Sequence, residues 1–329
     1  MLTIDLPLPT IDLLQRPQGP GRPVRGRALR HADLAEAQTL LPAWLALDGD
    51  VRAALPVLWT RLLGQPGFSA EVIEDLSLPP GQRLVGLGMT VALDTAWQAR
   101  LRASPPPHAG ACWYRDFIDG RTAPLDDRAL GRANAAGQVG MLVLHYAQRA
   151  IDPSRHEVQQ VMLVAMQLFR QAHGGLQLRD VWQEALAEGG DYLQGMGFRR
   201  RTARGPGQPD LFGLSRDEAA RIFPGQPVRD VFHFVPPVLG FSGAERRALR
   251  LAVTELTDDE IADEIGISGH TLKKLWRSVC ERAADRLPEV FTGAAAADAD
   301  AAPGTRGPEK RRHLLHYLRQ HPEELRPWA

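Results

Sequence analysis

The stretch from Ala244 to Leu287 constrains the fold most, because three helical patterns follow one another there through two tight turns. At about 100° per residue, the third pattern has two opposite faces. One face is polar and mostly basic, and it contains His270, Lys273, Lys274, Arg277 and Glu281. The other is apolar, and it contains Leu272, Leu275, Trp276, Val279 and Ala283. Such a helix can pack on its own domain while it offers hydrogen-bond donors to DNA phosphates and guanine edges.

The residues between these helices carry specific turn signals. Thr257 and Glu260 have the spacing of a capping box, which predicts that the second helix begins directly after Thr257. Gly266 stands where a residue in the left-handed conformation would end that helix. Ser268 can then cap the third helix with its hydroxyl. The stretch therefore predicts an all-α unit in which a tight turn precedes the basic helix.

The segment AERRALRLAVTELTDDEIADEIGISGHTLKKLWRSV resembles the LuxR/GerE-type helix-turn-helix of transcription regulators. The resemblance implies that residues 269–284 form a recognition helix in the major groove of double-stranded DNA. It also implies that three cations face the bases, namely Lys273, Lys274 and Arg277. Four further residues would contact the DNA backbone: His270, Thr271, Ser268 and Thr257.

The charge of the chain limits how DNA could be bound. The 39 basic and 39 acidic residues give a net charge of zero, and residues 244–291 contain eight basic and ten acidic residues. Since nonspecific affinity depends on phosphate neutralisation, a monomer should bind DNA weakly. A homodimer or a basic tail helix over 309–329, with Lys310, Arg311, Arg312 and Arg319, would add positive charge. Docking of that tail through its apolar side is the favoured alternative, and contact with RNA polymerase is another use of the unit.

The N-terminal part predicts an α+β or α/β domain. Helical patterns cover 29–47, 51–63, 157–173 and 183–196, and apolar strand patterns cover 68–73, 84–93, 141–146, 176–181 and 228–235. Residues 112–137 have little periodicity. Before this domain, the Pro- and Gly-rich segment 15–27 predicts a flexible arm. The arm is basic, with Arg16, Arg22, Arg25 and Arg27, so a minor-groove contact is an alternative to a solvated linker.

This domain loosely resembles the GNAT acetyltransferase fold. The resemblance rests on the hairpin FSAEVIED…LVGLGMTVAL, the strand MLVLHY before a helix, and an ending with Tyr192 and Gly197-Phe198. It implies that a glycine-containing loop at the start of the central helix holds the diphosphate of acetyl-CoA on main-chain N–H groups. The matching residues 153–160 contain no glycine, and Glu157 adds a negative charge. Arg155 and His156 could attract an anion, although a solvated helix start is favoured.

Other signals favour a cytoplasmic protein without catalytic activity. No Gly-x-Ser-x-Gly, HExxH or paired-cysteine motif occurs, so we expect no enzyme activity, cofactor or metal. Cys112 and Cys280 are far apart, which argues against a disulfide framework. His145 fits a satisfied core or edge histidine, and His173 fits a helix C-terminus. The N-terminus has no signal-peptide pattern and no apolar run is long enough to span a membrane.

Together these patterns predict five segments: an arm over 1–27, a GNAT-like sensor or dimerisation domain over 28–237, the helix-turn-helix over 240–291, a linker over 292–308 and the tail helix over 309–329. The function expected is a sequence-specific transcription regulator whose N-terminal domain senses a small-molecule effector or a partner. Two alternatives stay open. One is a GNAT-type acyltransferase with an appended DNA-binding domain, and the other is a helix-turn-helix used for protein interaction.

Overall fold

The computed structural model describes residues 24–152, 154–291 and 306–328. Within these residues, seven strands form one mixed sheet in the order β1-β2-β3-β4-β5-β7-β6. The strands are β1 Val24–Ala28, β2 Phe68–Asp75, β3 Leu84–Leu93, β4 Val139–Gln148, β5 Leu178–Ala185, β6 Arg199–Arg200 and β7 Asp210–Ser215. The N-terminal part is thus a mixed α/β unit. The arm and linker predictions for residues 1–23 and 292–305 lie outside the described residues.

The helices of the α/β unit lie before, between and after these strands. They are α1 Leu34–Gln38, α2 Gly49–Leu62, α3 Thr95–Ala103, α4 Ala109–Ile118, α5 Asp127–Ala135, α6 His156–His173, α7 Ala187–Gly195, α8 Arg216–Ala219 and α9 Pro227–Asp230. Trp59 of α2 and Trp113 of α4 belong to the core on one side of the sheet, here named the α2–α4 face. Phe169 of α6 and Leu193 of α7 belong to the core on the other side, the α6–α7 face.

One strand pair differs from all the others among the described strands. β4 and β5 run parallel, whereas each remaining neighbouring pair is antiparallel. A parallel pair needs a long crossover connection, and α6 provides it. The apolar residues of α6 recur at helical spacing, so one side of the helix packs on the sheet through Val161 and Leu168. The predicted helix over 157–173 is confirmed.

A second unit is all-helical and follows the sheet in the chain. It contains α10 Gly243–Val253, α11 Asp258–Ile265, α12 Gly269–Arg286 and α13 Arg306–Gln320. The expected turn chemistry is present: Thr257 and Glu260 form a capping box, and Gly266 has a left-handed φ of 72°. Ser268 accepts a hydrogen bond of 3.2 Å from the Thr271 main chain. Whether this unit is a LuxR/GerE-type helix-turn-helix stays a prediction.

The tail helix packs on its own chain. Leu314 and Leu318 of α13 are buried in the same core as residues of α10 and α12. The guanidinium of Arg311 lies 4.0 Å from the ring centroid of Trp276 and 2.7 Å from a carboxylate oxygen of Asp258. The docking alternative for this helix is therefore confirmed, and Arg311 is engaged within the protein.

Ion pairs and hydrogen bonds join the two units. Arg246 of α10 donates two hydrogen bonds of 2.6 Å to the Asp127 carboxylate on α5. His31 Nδ1 lies 2.7 Å from Glu264 Oε1. The buried Asn134 side chain donates a 2.9 Å hydrogen bond to the main-chain oxygen of Pro327. The C-terminal segment is therefore bound directly to the α/β unit.

Several sequence predictions need correction. Residues 24–27 form most of β1 rather than part of an arm, because their main chain pairs with β2. The helix expected over 183–196 begins only at Ala187, since 183–185 pair with β7. Residues 228–235 are not a strand, because Pro227 starts a short helix there. The unassigned region 112–137 contains most of α4 and all of α5. No described helix is long and apolar enough to cross a membrane.

Arg27, predicted to be a solvated basic residue, is buried in β1 with only 3% exposure. It binds Asp33 through both terminal nitrogens, at 2.5 and 3.0 Å. It also donates two hydrogen bonds of 3.1 Å to Glu74. Burial opposes ionisation of the two carboxyls, but the hydrogen bonds and charge of Arg27 outweigh it and lower both pKa values. This cluster joins β1 to β2 and to the following turn.

We predict that Arg27→Met lowers the free energy of unfolding by about 3–5 kcal/mol, because it removes the buried cation that bridges the Asp33 and Glu74 carboxylates. Arg25→Met is the matched control: Arg25 also pairs with Glu74, but its side chain is 44% exposed. The control should cost about 1 kcal/mol or less. Urea unfolding followed by circular dichroism measures both. Equal losses in the two variants would contradict the structural role of Arg27.

Candidate functional site

The candidate site lies where β4 and β5 separate. Their pairing runs from Val139↔Leu178 to Val143↔Gln183 and stops there, although β4 continues to Gln148 on its pairing with β3. The β3–β4 register shifts at the same point, so Leu144 is an extra residue in β4. A β-bulge of this kind bends a strand and turns it away from its neighbour. The result is an opening in the middle of a sheet.

The bulge changes which way the β4 side chains point. Leu144 packs in the core of the α2–α4 face, and the next residue, His145, points to that face as well. Its ring centroid lies 6.3 Å from those of both Trp59 and Tyr114. The ring is 1% exposed, and neither nitrogen has a hydrogen-bond partner among the described residues. Burial alone lowers the pKa of His145 to about 3, so the ring is neutral.

Helix α4 closes the α2–α4 face of the opening. The first turn of α4 lies against the Leu144 carbonyl so closely that a Cβ on Gly110 would come within 2.2 Å of its oxygen. The buried Glu184 carboxylate accepts a 3.3 Å hydrogen bond from the Gly110 main chain and a 3.0 Å bond from Arg204. Burial raises the pKa of Glu184 although these bonds favour its charged form. Only glycine at position 110 allows α4 to approach this closely.

The α6–α7 face of the opening carries two tyrosines. Tyr146 of β4 donates a 2.8 Å hydrogen bond to Gln148 and lies 3.8 Å from the sulfur of Met162 on α6. Tyr192 of α7 is exposed. Burial and, next, the Tyr192 phenol raise the pKa of Tyr146. Burial also raises the pKa of Tyr192, and its phenol is therefore protonated at neutral pH.

The start of α6 is next to this opening in the chain. Arg155 is the N-cap residue, and no side chain caps the helix. Its guanidinium pairs with Glu157, with Arg155 Nε 2.9 Å from Oε1, and His156 contacts Gln160 at 3.0 Å. Arg155 and His156 are both exposed, and whether an anion binds at this helix start stays a prediction. Within the described residues, no group of three or more His, Cys, Asp or Glu side chains could hold a metal ion.

The residues expected to contact DNA lie on the second unit, far along the chain from this opening. All seven are exposed: Thr257, Ser268, His270, Thr271, Lys273, Lys274 and Arg277. Ser268 and Thr271 also contact each other through their hydroxyls at 3.0 Å. The geometry does not test their assignment to DNA, which stays a sequence-based prediction. Lys273 and Arg277 line a groove that is shared with α13.

Sequence reasoning missed the residues of the opening. His145 was expected to be a satisfied core or edge histidine; it is in the core, but it is unpartnered. His173 does end α6, and its Nδ1 lies 2.8 Å from the Phe169 oxygen. Cys112 packs in α4 with its sulfur 3.3 Å from the Pro107 oxygen, and burial raises the pKa of its thiol. The sequence indicates Tyr192 only as part of an ending that resembles that of GNAT domains.

Comparisons with known proteins give a limited result. No protein-family model and no curated protein matches the chain. Solved structures do match. A spermidine N-acetyltransferase from Vibrio cholerae, solved as a dodecamer, is 11% identical, with 60% of this chain and 96% of that chain covered and a TM-score of 0.33. The N-acyl amino acid synthase FeeM from uncultured soil microbes is 10% identical, with 61% and 94% covered and a TM-score of 0.35.

These findings correct the main functional prediction. The mixed seven-stranded sheet resembles that of GNAT acetyltransferases, and the matched structures named above are enzymes that transfer acyl groups. The prediction of a transcription regulator that is not an enzyme is therefore wrong, and these findings give no support to a role in transcription regulation or DNA binding. The lack of glycine at 153–160 does not exclude this fold, because the strand order is set by the pairing of the sheet and not by that loop. The likeness itself extends to the fold and not to a substrate.

We predict that His145 makes stability depend on pH. Its pKa is about 3 in the folded chain against 6.5 for a free histidine, so below pH 6.5 the unfolded chain binds the additional proton. The free energy of unfolding should therefore decrease as the pH is lowered below 6.5. This residue contributes up to about 1.4 kcal/mol per pH unit. His145→Phe should remove that part of the slope between pH 6 and 5. The exposed His316→Gln is the control, and urea midpoints measure both. An unchanged slope in His145→Phe would refute the assignment.

Proposed function

We infer that the chain is an acyltransferase of the GNAT type whose acyl donor is bound at the opening between β4 and β5. The observation that carries this proposal is the end of the β4–β5 pairing at Val143↔Gln183, while β4 runs on to Gln148. An extended ligand arm at that place could bind to the strand edge through main-chain groups, as an added strand does. The strand order and the single parallel pair of the described sheet support the same proposal.

The residues of the opening and of the α6 start suit the extended arm of a CoA thioester better than its diphosphate. The strand edge and the two tyrosines suit an extended arm and its thioester. At the start of α6, the first-turn N–H groups are not capped by a side chain and can receive an anion. Residues 153–160 have no glycine, however, and Glu157 carries a like charge that Arg155 only partly offsets. We therefore expect the diphosphate to be held less tightly than the arm.

Tyr192 is the residue of this opening best suited to proton transfer. A bound acyl thioester supplies the activated carbonyl carbon that an acceptor nucleophile attacks. The phenol of Tyr192 is exposed and protonated, and it can donate its proton to the sulfur that leaves. His145, on the opposite face, is neutral and packed among aromatic rings, so it supports the bulge rather than serving as a base. The acyltransferase proposal does not depend on whether the all-helical unit is a helix-turn-helix.

We predict that acetyl-CoA binds the full chain with a dissociation constant in the micromolar range, as measured by isothermal titration calorimetry. Glu157→Gln should strengthen binding about two- to fivefold, because it removes a negative charge from a helix N-terminus that would hold phosphate. The exposed Glu281→Gln, on α12, is the control and should change nothing. No heat at acetyl-CoA concentrations near 1 mM would refute the proposed function.

We also predict that Tyr192→Phe lowers kcat by about 10²–10⁴-fold and leaves KM for the donor nearly unchanged, because only the proton donor is lost. Release of free CoA thiol, with a panel of small amines as acceptors, measures the rate. Tyr317→Phe is the matched control, since Tyr317 belongs to α13 of the other unit. A rate in Tyr192→Phe equal to that of Tyr317→Phe would assign proton donation elsewhere.

A further inference from the structure

A cavity of about 920 Å³ lies between the two units. Its walls come from the β1–β2 edge of the sheet, the C-terminal half of α6, α10, and the segment that follows α13. The opening between β4 and β5 is elsewhere, and none of the residues of that opening discussed above lines the cavity. The cavity is therefore separate from the proposed acyltransferase site.

Arg250 of α10 is a half-buried cation in the cavity wall without a counter-ion. It makes no hydrogen bond or ion pair with any residue that the structure describes, although its surroundings are protein on most sides. Burial, and then repulsion by Arg246 and Arg247, lower its pKa to about 10. The group remains charged at neutral pH, in a position where an unpaired charge is unfavourable.

A second cation faces the same space. Arg326 is 8% exposed, and its Nε donates a 2.9 Å hydrogen bond to the Gly174 oxygen. A terminal nitrogen donates to the Gln171 oxygen. Burial and the charge of Arg250 lower the pKa of Arg326 to about 10. Both Arg326 partners are uncharged main-chain oxygens, so its positive charge is not neutralised there.

Glu71 of β2 is an acidic residue of the cavity wall whose charge interacts with both arginines. It forms no ion pair within 4.0 Å with either of them among the described residues, and the Ser69 hydroxyl donates to its carboxylate. Burial raises the pKa of Glu71 to about 7, although Arg326 and Arg250 lower it. One carboxyl group faces two guanidinium groups here, so Glu71 does not offset both charges.

Four other acidic side chains line the cavity. Glu264 lies 2.7 Å from His31, Glu323 lies 2.9 Å from His321, Glu255 lies 3.6 Å from Arg319, and Asp230 is exposed. Within the described residues, none of the four forms an ion pair with Arg250. The guanidinium of Arg247, which also lines the cavity, lies against Gly64, where a Cβ would come within 2.8 Å of it.

We propose that this cavity binds a small-molecule oxyanion, a carboxylate or a phosphate, between the guanidinium groups of Arg250 and Arg326. Guanidinium groups bind both kinds of oxyanion through paired N–H donors. The cavity volume exceeds what a single ion needs, so an organic anion has room for its uncharged part. Since α10 and β2 both line the cavity, a bound anion would connect the two units and stabilise their contact.

The test measures thermal unfolding of the full chain with inorganic phosphate or succinate, each against sodium chloride at equal ionic strength. We expect at least one of the two oxyanions to raise Tm by several degrees. A response to phosphate alone assigns the phosphate class, and a response to succinate alone assigns the carboxylate class. A response to both assigns oxyanion binding without selectivity. No response to either would overturn the proposal.

Variants locate the binding site. Arg250→Gln should weaken the oxyanion that binds by about tenfold or more in calorimetry. The exposed Arg128→Gln, on α5, removes the same charge outside the cavity and should bind like the wild type. Without added oxyanion, Arg250→Gln should unfold at the same temperature as the wild type or higher, because an unpaired cation is removed. Unchanged affinity in Arg250→Gln, or a Tm lowered by more than about 4 °C, would overturn the assignment.

Discussion

The early end of the β4–β5 pairing is the constraint on which the proposed site depends. Only five residue pairs join the two strands, although β4 has ten residues and β5 has eight. The bulge at Leu144 makes the separation a property of the main chain. It places Tyr146 on the α6–α7 face and leaves His145 among the aromatic rings of the other face. This one register shift therefore sets the faces on which the side chains of the opening lie.

The two faces of the opening are not equivalent. On the α2–α4 face, Gly110 and the Glu184–Arg204 pair bring α4 against the Leu144 carbonyl. Helix α4 therefore covers that side of the strand. On the other face, Tyr192 is exposed. A donor that enters from the α6–α7 side would leave the acceptor to approach past α7 or along the strand edges.

The sequence predicts the parts of this fold that depend on local signals. The β2–β3 hairpin follows from apolar alternation, and α11 follows from the Thr257–Glu260 box and Gly266. The site could not be predicted in the same way. The bulge at Leu144 depends on the pairing of β4 with β3. In the chain, 45 residues and three helices separate the end of β3 at Leu93 from the start of β4 at Val139. The burial of Arg27 depends on Asp33 and Glu74. The local composition around Arg27 predicts only a basic arm.

The buried Arg27 and the half-buried Arg250 show why pairing matters more than burial. Arg27 has two carboxylates at hydrogen-bond distance, so its charge is compensated and β1 is held to β2. Arg250 has no described partner, and its nearest charged neighbours along α10 are Arg246 and Arg247. An apolar residue at 250 would give a more stable contact between the units. Other residues of this contact are paired, among them Arg246 with Asp127 and Asn134 with Pro327, so the uncompensated cation is a feature that stability alone does not explain. A ligand that compensates its charge does explain it.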